Sequence, residues 1–156
     1  MIIDLNYSKG LPLLLKHRIL PKLLGIDYGT RRVGLAATDD LQIIASGIGA
    51  IDTKDIFKWL IVYLEANDVE TIVFGLPKGL DNNDTNATEA VVKVIEKVKR
   101  LASKPNVVTV DERFTSKMAK ASILESGVKK SKRRDKGLID EVSAVLILQS
   151  YMSSKF

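Results

Sequence analysis

The sequence predicts an α/β domain: a mixed five-stranded sheet with helices on both faces. Three observations predict it. Leu23–Ile26 is an apolar run, followed by a Gly29-Thr30 turn and a second run, Arg32–Thr38, which is the pattern of an antiparallel hairpin. Two later apolar runs, Val69–Gly75 and Val107–Val110, are each reached through a segment of helical period, as parallel strands require. The chain then closes in helical segments.

Residues 1–22 read as an N-terminal extension, ahead of a domain over residues 23–156. Within the extension, "LPLLLKHRIL" suits a short amphipathic helix broken at Pro21. Leu23–Asp27 reads as a buried strand and Arg32–Thr38 as its hairpin partner. Gln42–Ile51 reads as a third strand. Over Asp52–Ala66 the residues Ile56, Trp59, Leu60, Tyr63 and Leu64 share a helical face. Val69–Gly75 is a strand that ends in a Gly-Leu-Pro turn. Thr88–Ala102 is a helix with Val91, Val94, Ile95, Val98 and Leu101 on one side, capped by Thr85 or Asn86. Val107–Val110 is a strand, and Thr115–Glu125 a helix stopped at Gly127. Residues 129–136 are a charge run, and Leu138–Met152 is the last helix. Three meandering strands followed by two strand–crossover–strand units give the element order of the ribonuclease H-like fold.

Composition narrows the chemistry. The 156 residues suffice for one domain with a real core. No apolar run approaches the roughly 18 residues of a membrane span, and no secretory signal is visible. There is no cysteine, so there is no disulfide framework and no thiolate chemistry; this fits a cytoplasmic protein. The one histidine, His17, lies in the extension, which argues against histidine-based catalysis and a zinc site. A net charge of +5 and a pI near 9.4 suit a polyanionic partner.

Carboxylates stand where strands and helices end. Asp27 closes the first strand, Glu112 follows the last one, and Asp140 opens the final helix. If these ends converge on one sheet edge, three carboxylates form an oxygen-rich site for a hard cation such as Mg²⁺. Two such ions can clamp the attacking and leaving oxygens of a phosphodiester displacement. Each acid also has a plainer role. Asp27 suits a turn, Asp111 or Glu112 can pair with Arg113, and Asp140 can complement a helix dipole. Ser143, Ala144 and Ile147 share the Asp140 face, and the small residues leave room beside its carboxylate. The run "KKSKRRDK" holds six basic residues and one acid. By default it is a solvated loop, with disorder expected. Lys132, Arg133 and Arg134 could instead track a phosphate backbone beside Asp140.

Four fragments in order resemble the YqgF/RuvX nucleases, described as Holliday junction resolvases or pre-16S rRNA nucleases. "GIDYGTRRVGLA" is similar to that family's Asp-x-Gly-x-Arg/Lys-x-x-Gly signature, "VFGLP" to its central Gly-Leu-Pro, "DERFTS" to its Asp-Glu-Arg segment, and "IDEVSAVLIL" to its last helix start. The resemblance covers about residues 23–152. It implies a nuclease dependent on Mg²⁺ or Mn²⁺, with Asp27, Glu112 and Asp140 as metal-binding and catalytic acids and Asp111 as a weaker candidate. It further implies backbone or phosphate contacts for Arg31 and Arg113, and a nucleic-acid partner, either structured RNA or branched DNA. The resemblance leans towards RNA. Residues 1–22 and "GLDNND" after Lys78 depart from the pattern.

"DYGT" also resembles the phosphate loop of actin-like and sugar-kinase ATPases. Those need two such domains around the nucleotide, and 156 residues are too few. An inactive nucleic-acid-binding scaffold is a further alternative, but all three matching positions here are acidic. A junction resolvase needs two copies to cut two strands symmetrically. No dimer face is readable, so a monomer or weak homodimer is expected.

Overall fold

In the computed structural model, residues 19–78, 86–113 and 115–155 are described. The elements run β1 (Lys22–Tyr28), β2 (Arg32–Thr38), β3 (Ala45–Asp52), α1 (Ile56–Ala66), β4 (Val69–Leu76), α2 (Asn86–Leu101), β5 (Asn106–Asp111), α3 (Thr115–Glu125) and α4 (Lys136–Ser154). The strands form one five-stranded sheet in the order β3-β2-β1-β4-β5. β1 pairs antiparallel with β2, and β2 with β3; β4 pairs parallel with both β1 and β5. The mixed sheet and element order match the expectation. Most of the proposed N-terminal helix, with His17, and all of "GLDNND" lie outside the described residues.

Strand alternation divides the core in two. Leu24, Ile26, Val33, Leu35, Ile72 and Phe74 point to one face. There they meet Ile56 and Leu60 of α1 and Val91, Val94, Ile95 and Val98 of α2. Leu23, Ala36 and Val73 point to the other face, where Ala144, Ile147 and Leu148 of α4 cover them. α3 packs on α4 and buries Ala119 and Ile123. Each fully buried Leu, Ile or Phe contributes about 1.5–3 kcal/mol by leaving water. The apolar period that predicted α1 and α2 is therefore the period of their buried faces, except that Leu101 at the end of α2 is exposed.

Several element ends differ from the expectation by one to four residues, and two of the shifts have a clear local cause. β3 starts at Ala45, not Gln42. The Asp39 side chain accepts hydrogen bonds from the backbone N–H groups of Leu41, Ile43 and Ile44, at 3.3, 2.8 and 2.7 Å. That side-chain turn holds residues 40–44 off the ladder, with Gln42 at φ 54°. The charge run is ordered, which corrects the expected disorder. Residues 132–134 form a 3₁₀ turn, and Asp135 caps α4 by accepting from Gly137 N–H at 2.8 Å. The one acid in a basic run thus supplies the cap that starts the helix, at Lys136 rather than Leu138.

Candidate active site

β1, β4 and β5 run parallel, so their C-terminal ends share one edge of the sheet. Asp27 lies near the end of β1. Glu112 stands one residue past β5, its N–H donating to Leu76 O at 3.3 Å. By alternation Leu23, Gly25 and Asp27, Val73 and Gly75, and Val108, Val110 and Glu112 all face α4. β1 and β5 flank β4, about 10 Å apart at ordinary strand spacing. Gly75 lies between them. A Cβ at that position would stand 2.2 Å from Glu112 Oε2 and 2.5 Å from Ile147 Cδ1. Glu112 therefore lies over bare backbone, and its carboxyl hydrogen-bonds the carboxyl of Asp27.

Partial burial favours a proton on this pair. Desolvation pushes Asp27 up to about 6, the charge of Asp140 adding to it and the hydrogen bond from Glu112 opposing it. Desolvation pushes Glu112 up to about 8, reinforced by the charge of Asp27, their shared hydrogen bond and the charge of Asp111. Two carboxyls can hydrogen-bond only when one is protonated. In the metal-free protein the two carboxyls therefore share one proton, which belongs to the pair.

Asp140 reaches the site through α4. It sits one turn inside the helix rather than opening it, because Asp135 caps the helix five residues earlier. Its backbone rests on Gly34 of β2, where a Cβ would lie 1.9 Å from the carbonyl oxygen of Asp140. Gly34 is the register partner of Asp27, so this contact brings Asp140 beside the carboxyl pair. Its Oδ2, however, accepts from Arg32 Nε at 2.9 Å. Among the described residues no three acids or histidines form a ready metal cage. Asp27 and Glu112 meet, and Asp140 stands beside them, paired with Arg32.

The donor set fits a hard divalent cation. It offers carboxylate oxygens only, and two of them carry a burial cost that a cation relieves. Ser143 Oγ, on the buried face one turn beyond Asp140, has no hydrogen-bond partner among the described residues.

The expected basic contacts are dispersed. Arg31 is exposed in the β1–β2 turn, where its carbonyl accepts from Thr53 N–H at 3.1 Å. Arg113 Nε donates to Asp111 Oδ2 at 2.7 Å, so both residues answer first to each other. Lys132 and Arg134 are exposed on the 3₁₀ turn. Arg133 is half-buried, and its Nε donates to the carbonyl of Val128.

A family model described as "RuvX: Holliday junction resolvase" matches residues 21–154. The chain belongs to the RuvX family. A relative from Flavobacterium johnsoniae is 41% identical over 136 residues, covering 87% of this chain and 99% of its own. One from Parabacteroides distasonis is 42% identical over 134 residues, covering 86% and 96%. Both carry the provisional name pre-16S rRNA nuclease. Among solved structures, Thermus thermophilus RuvC in complex with a Holliday junction substrate is similar, with a TM-score of 0.52 and 16% identity over 86% of this chain and 95% of that one. At that identity the likeness shows the fold, which is ribonuclease H-like.

Sequence reasoning missed Arg32, Gly34 and Gly75 in this RuvX-family chain. Alternation holds a signal for the first two. Val33 and Leu35 turn to one face, so Arg32 and Gly34 turn with Ala36 to the α4 face. Gly75 reads as part of a strand-ending turn, and nothing local marks it as a passage for Glu112.

Proposed function

We propose that this RuvX-family chain is a metal-dependent nuclease that hydrolyses phosphodiester bonds, processing the 5′ end of pre-16S rRNA during ribosome biogenesis. The Asp27–Glu112 carboxyl pair carries this reading, with Asp140 alongside at one sheet edge. A half-buried acid pair bridged by a proton, with no histidine near it among the described residues and no cysteine in the chain, suits a cation site better than acid–base work alone. Asp27, Glu112 and Asp140 would hold Mg²⁺ or Mn²⁺. Two such ions, when bound, supply Lewis-acid stabilisation of the attacking and leaving oxygens. The chain's own residues do the rest. Asp27 and Glu112 give up their shared proton. The α4–Gly34 contact holds Asp140 at the edge. Arg31, Lys132 and Arg134 meet the phosphate backbone from the surface, and Arg113 follows where Asp111 releases it.

The names of the relatives at about 40% identity favour RNA as substrate. The description of the matching family model favours a second reading, a Holliday junction resolvase using the same acids. A cytoplasmic monomer or weak homodimer goes with the first reading, and a dimer with the second. The catalytic domain is taken as residues 23–156, preceded by residues 1–22.

The test offers a precursor 16S RNA and a four-way DNA junction in parallel to the purified protein, with Mg²⁺ or Mn²⁺. RNA cleavage that Asp27→Asn abolishes is the expected result. Cleavage of the junction alone moves the assignment to the second reading. Binding without cleavage of either overturns the enzyme and leaves a scaffold.

A further inference from the structure

We propose that Arg32 is a resident placeholder for the cation: it neutralises Asp140 while the site is metal-free and yields that carboxylate when a divalent ion binds. The inference rests on the metal-dependent reading above.

Three observations carry it. First, Arg32 Nε meets Asp140 Oδ2 at 2.9 Å across 108 residues of sequence, and among the described residues this is the hydrogen bond that the Asp140 carboxylate accepts. A guanidinium stays charged at every pH the protein meets, so it is a permanent substitute for a positive ion. Second, among the described residues the three acids do not form a metal cage, and the Asp140 carboxylate is paired with Arg32. The backbone of Asp140 is pinned against Gly34, where there is no room even for a Cβ. Bringing all three acids onto one ion therefore takes a side-chain rotation, not a helix shift. Third, the pair is built to be broken. It uses Nε rather than the two-pronged fork of a strong arginine–carboxylate pair. Its side chains are 34% and 27% exposed, so solvent screens the attraction and gives Arg32 somewhere to go.

Charge points the same way. A divalent ion held by Asp27, Glu112 and Asp140 sits beside the guanidinium and repels it. Competition of this kind weakens apparent ion affinity by the fraction of molecules in which Asp140 is free. A fixed orienting residue has the opposite signature: removing it loosens a ligand and weakens binding.

The experiment measures Mn²⁺ binding directly, from the electron paramagnetic resonance of the free ion. Wild type is compared with Arg32→Gln and Arg32→Lys, and Asp27→Asn identifies binding at this site. Arg32→Gln should bind Mn²⁺ about three- to tenfold more tightly, as removal of a screened competing pair implies. Arg32→Lys, which keeps the charge and loses the planar geometry, should fall between. A second readout uses the unaltered protein. The Arg32 Nε–H resonance, assigned by its loss in Arg32→Lys, should shift and exchange faster as Mg²⁺ saturates the site. This second measurement decides the matter if Arg32→Gln does not fold. Equal or weaker Mn²⁺ binding by Arg32→Gln, or an unmoved Nε–H at saturation, overturns the placeholder and leaves the metal site standing. Absence of Mn²⁺ binding in wild type and Arg32→Gln alike overturns the metal site, and the placeholder with it.

Discussion

Glu112 reaches Asp27 across the bare backbone of Gly75, although β4 separates their strands. The contact is a side-chain hydrogen bond between two carboxyls, so the site stores a proton where the proposed function needs a cation. Four predictions follow from how that pair is built and approached.

Metal-free protein should lose stability as pH rises. Asp27 titrates at about 6 in the fold against an ordinary 3.8, and Glu112 at about 8 against 4.5. Across that window the folded chain binds more protons than the unfolded chain. The pair's contribution is therefore fully present below the ordinary carboxylate range and is lost as pH climbs through about 8. Melting temperature in chelator should fall from about pH 5 to about pH 9, and saturating Mg²⁺ should flatten the profile. At neutral pH, Mg²⁺ binding should also release about one proton, which calorimetry in two buffers detects. A profile that rises with pH would show that the pair is not the protonated one described.

Asp27→Asn should cut activity by more than about 100-fold, the upper range for groups that only support a metal's ligands. It should leave the fold intact and raise the melting temperature of the metal-free protein, because an amide sits beside Glu112 without a charge. Glu141→Gln is the control. Glu141 lies next to Asp140 in sequence but rests over Gly47 of β3. It should keep both cleavage and stabilisation by metal, whereas Asp140→Asn should lose both.

Two glycine substitutions should part company. At Gly34 a methyl group meets the main chain of α4, 1.9 Å from the Asp140 carbonyl oxygen, and the main chain cannot step aside. Gly34→Ala should cost at least the 1–3 kcal/mol typical of overpacking, about the largest loss expected here, read as a fall in the denaturation midpoint. At Gly75 the methyl meets the movable ends of Glu112 and Ile147. Gly75→Ala should fold with a smaller penalty, yet lose metal affinity and cleavage because Glu112 is pushed off Asp27. Retained activity in Gly75→Ala would remove the glycine passage from the mechanism.

The basic turn should contribute unevenly to nucleic-acid binding. Lys132 and Arg134 are exposed, while Arg133 is held by the Val128 carbonyl. Replacing Lys132 and Arg134 together with alanine should flatten the logarithmic salt dependence of RNA binding by about one to two. Arg133→Ala should instead lower thermal stability with little change in that slope. Equal slopes for all variants would return the turn to an ordinary solvated surface.

Much of this architecture is legible in the chain before it folds. Strand and helix periods follow from burial on one face or two, and burial is written in the order of apolar residues. Hence Leu23–Asp27, Arg32–Thr38 and Thr115–Glu125 agree closely with the elements observed. Local polar chemistry displaced two of the other ends. Asp39 gathers three backbone N–H groups and delays β3, and Asp135 caps α4 two residues early. The sequence alone also determined that Asp27, Glu112 and Asp140 stand at or near element ends, because its periodic runs stop there. Only the tertiary structure decided their partners. Glu112 turns to Asp27 because the intervening strand has no side chain at Gly75, and Asp140 turns to Arg32 because Gly34 lets α4 settle onto β2. Both choices depend on empty space between residues far apart in the chain, and that space exists only once the sheet and α4 have packed together.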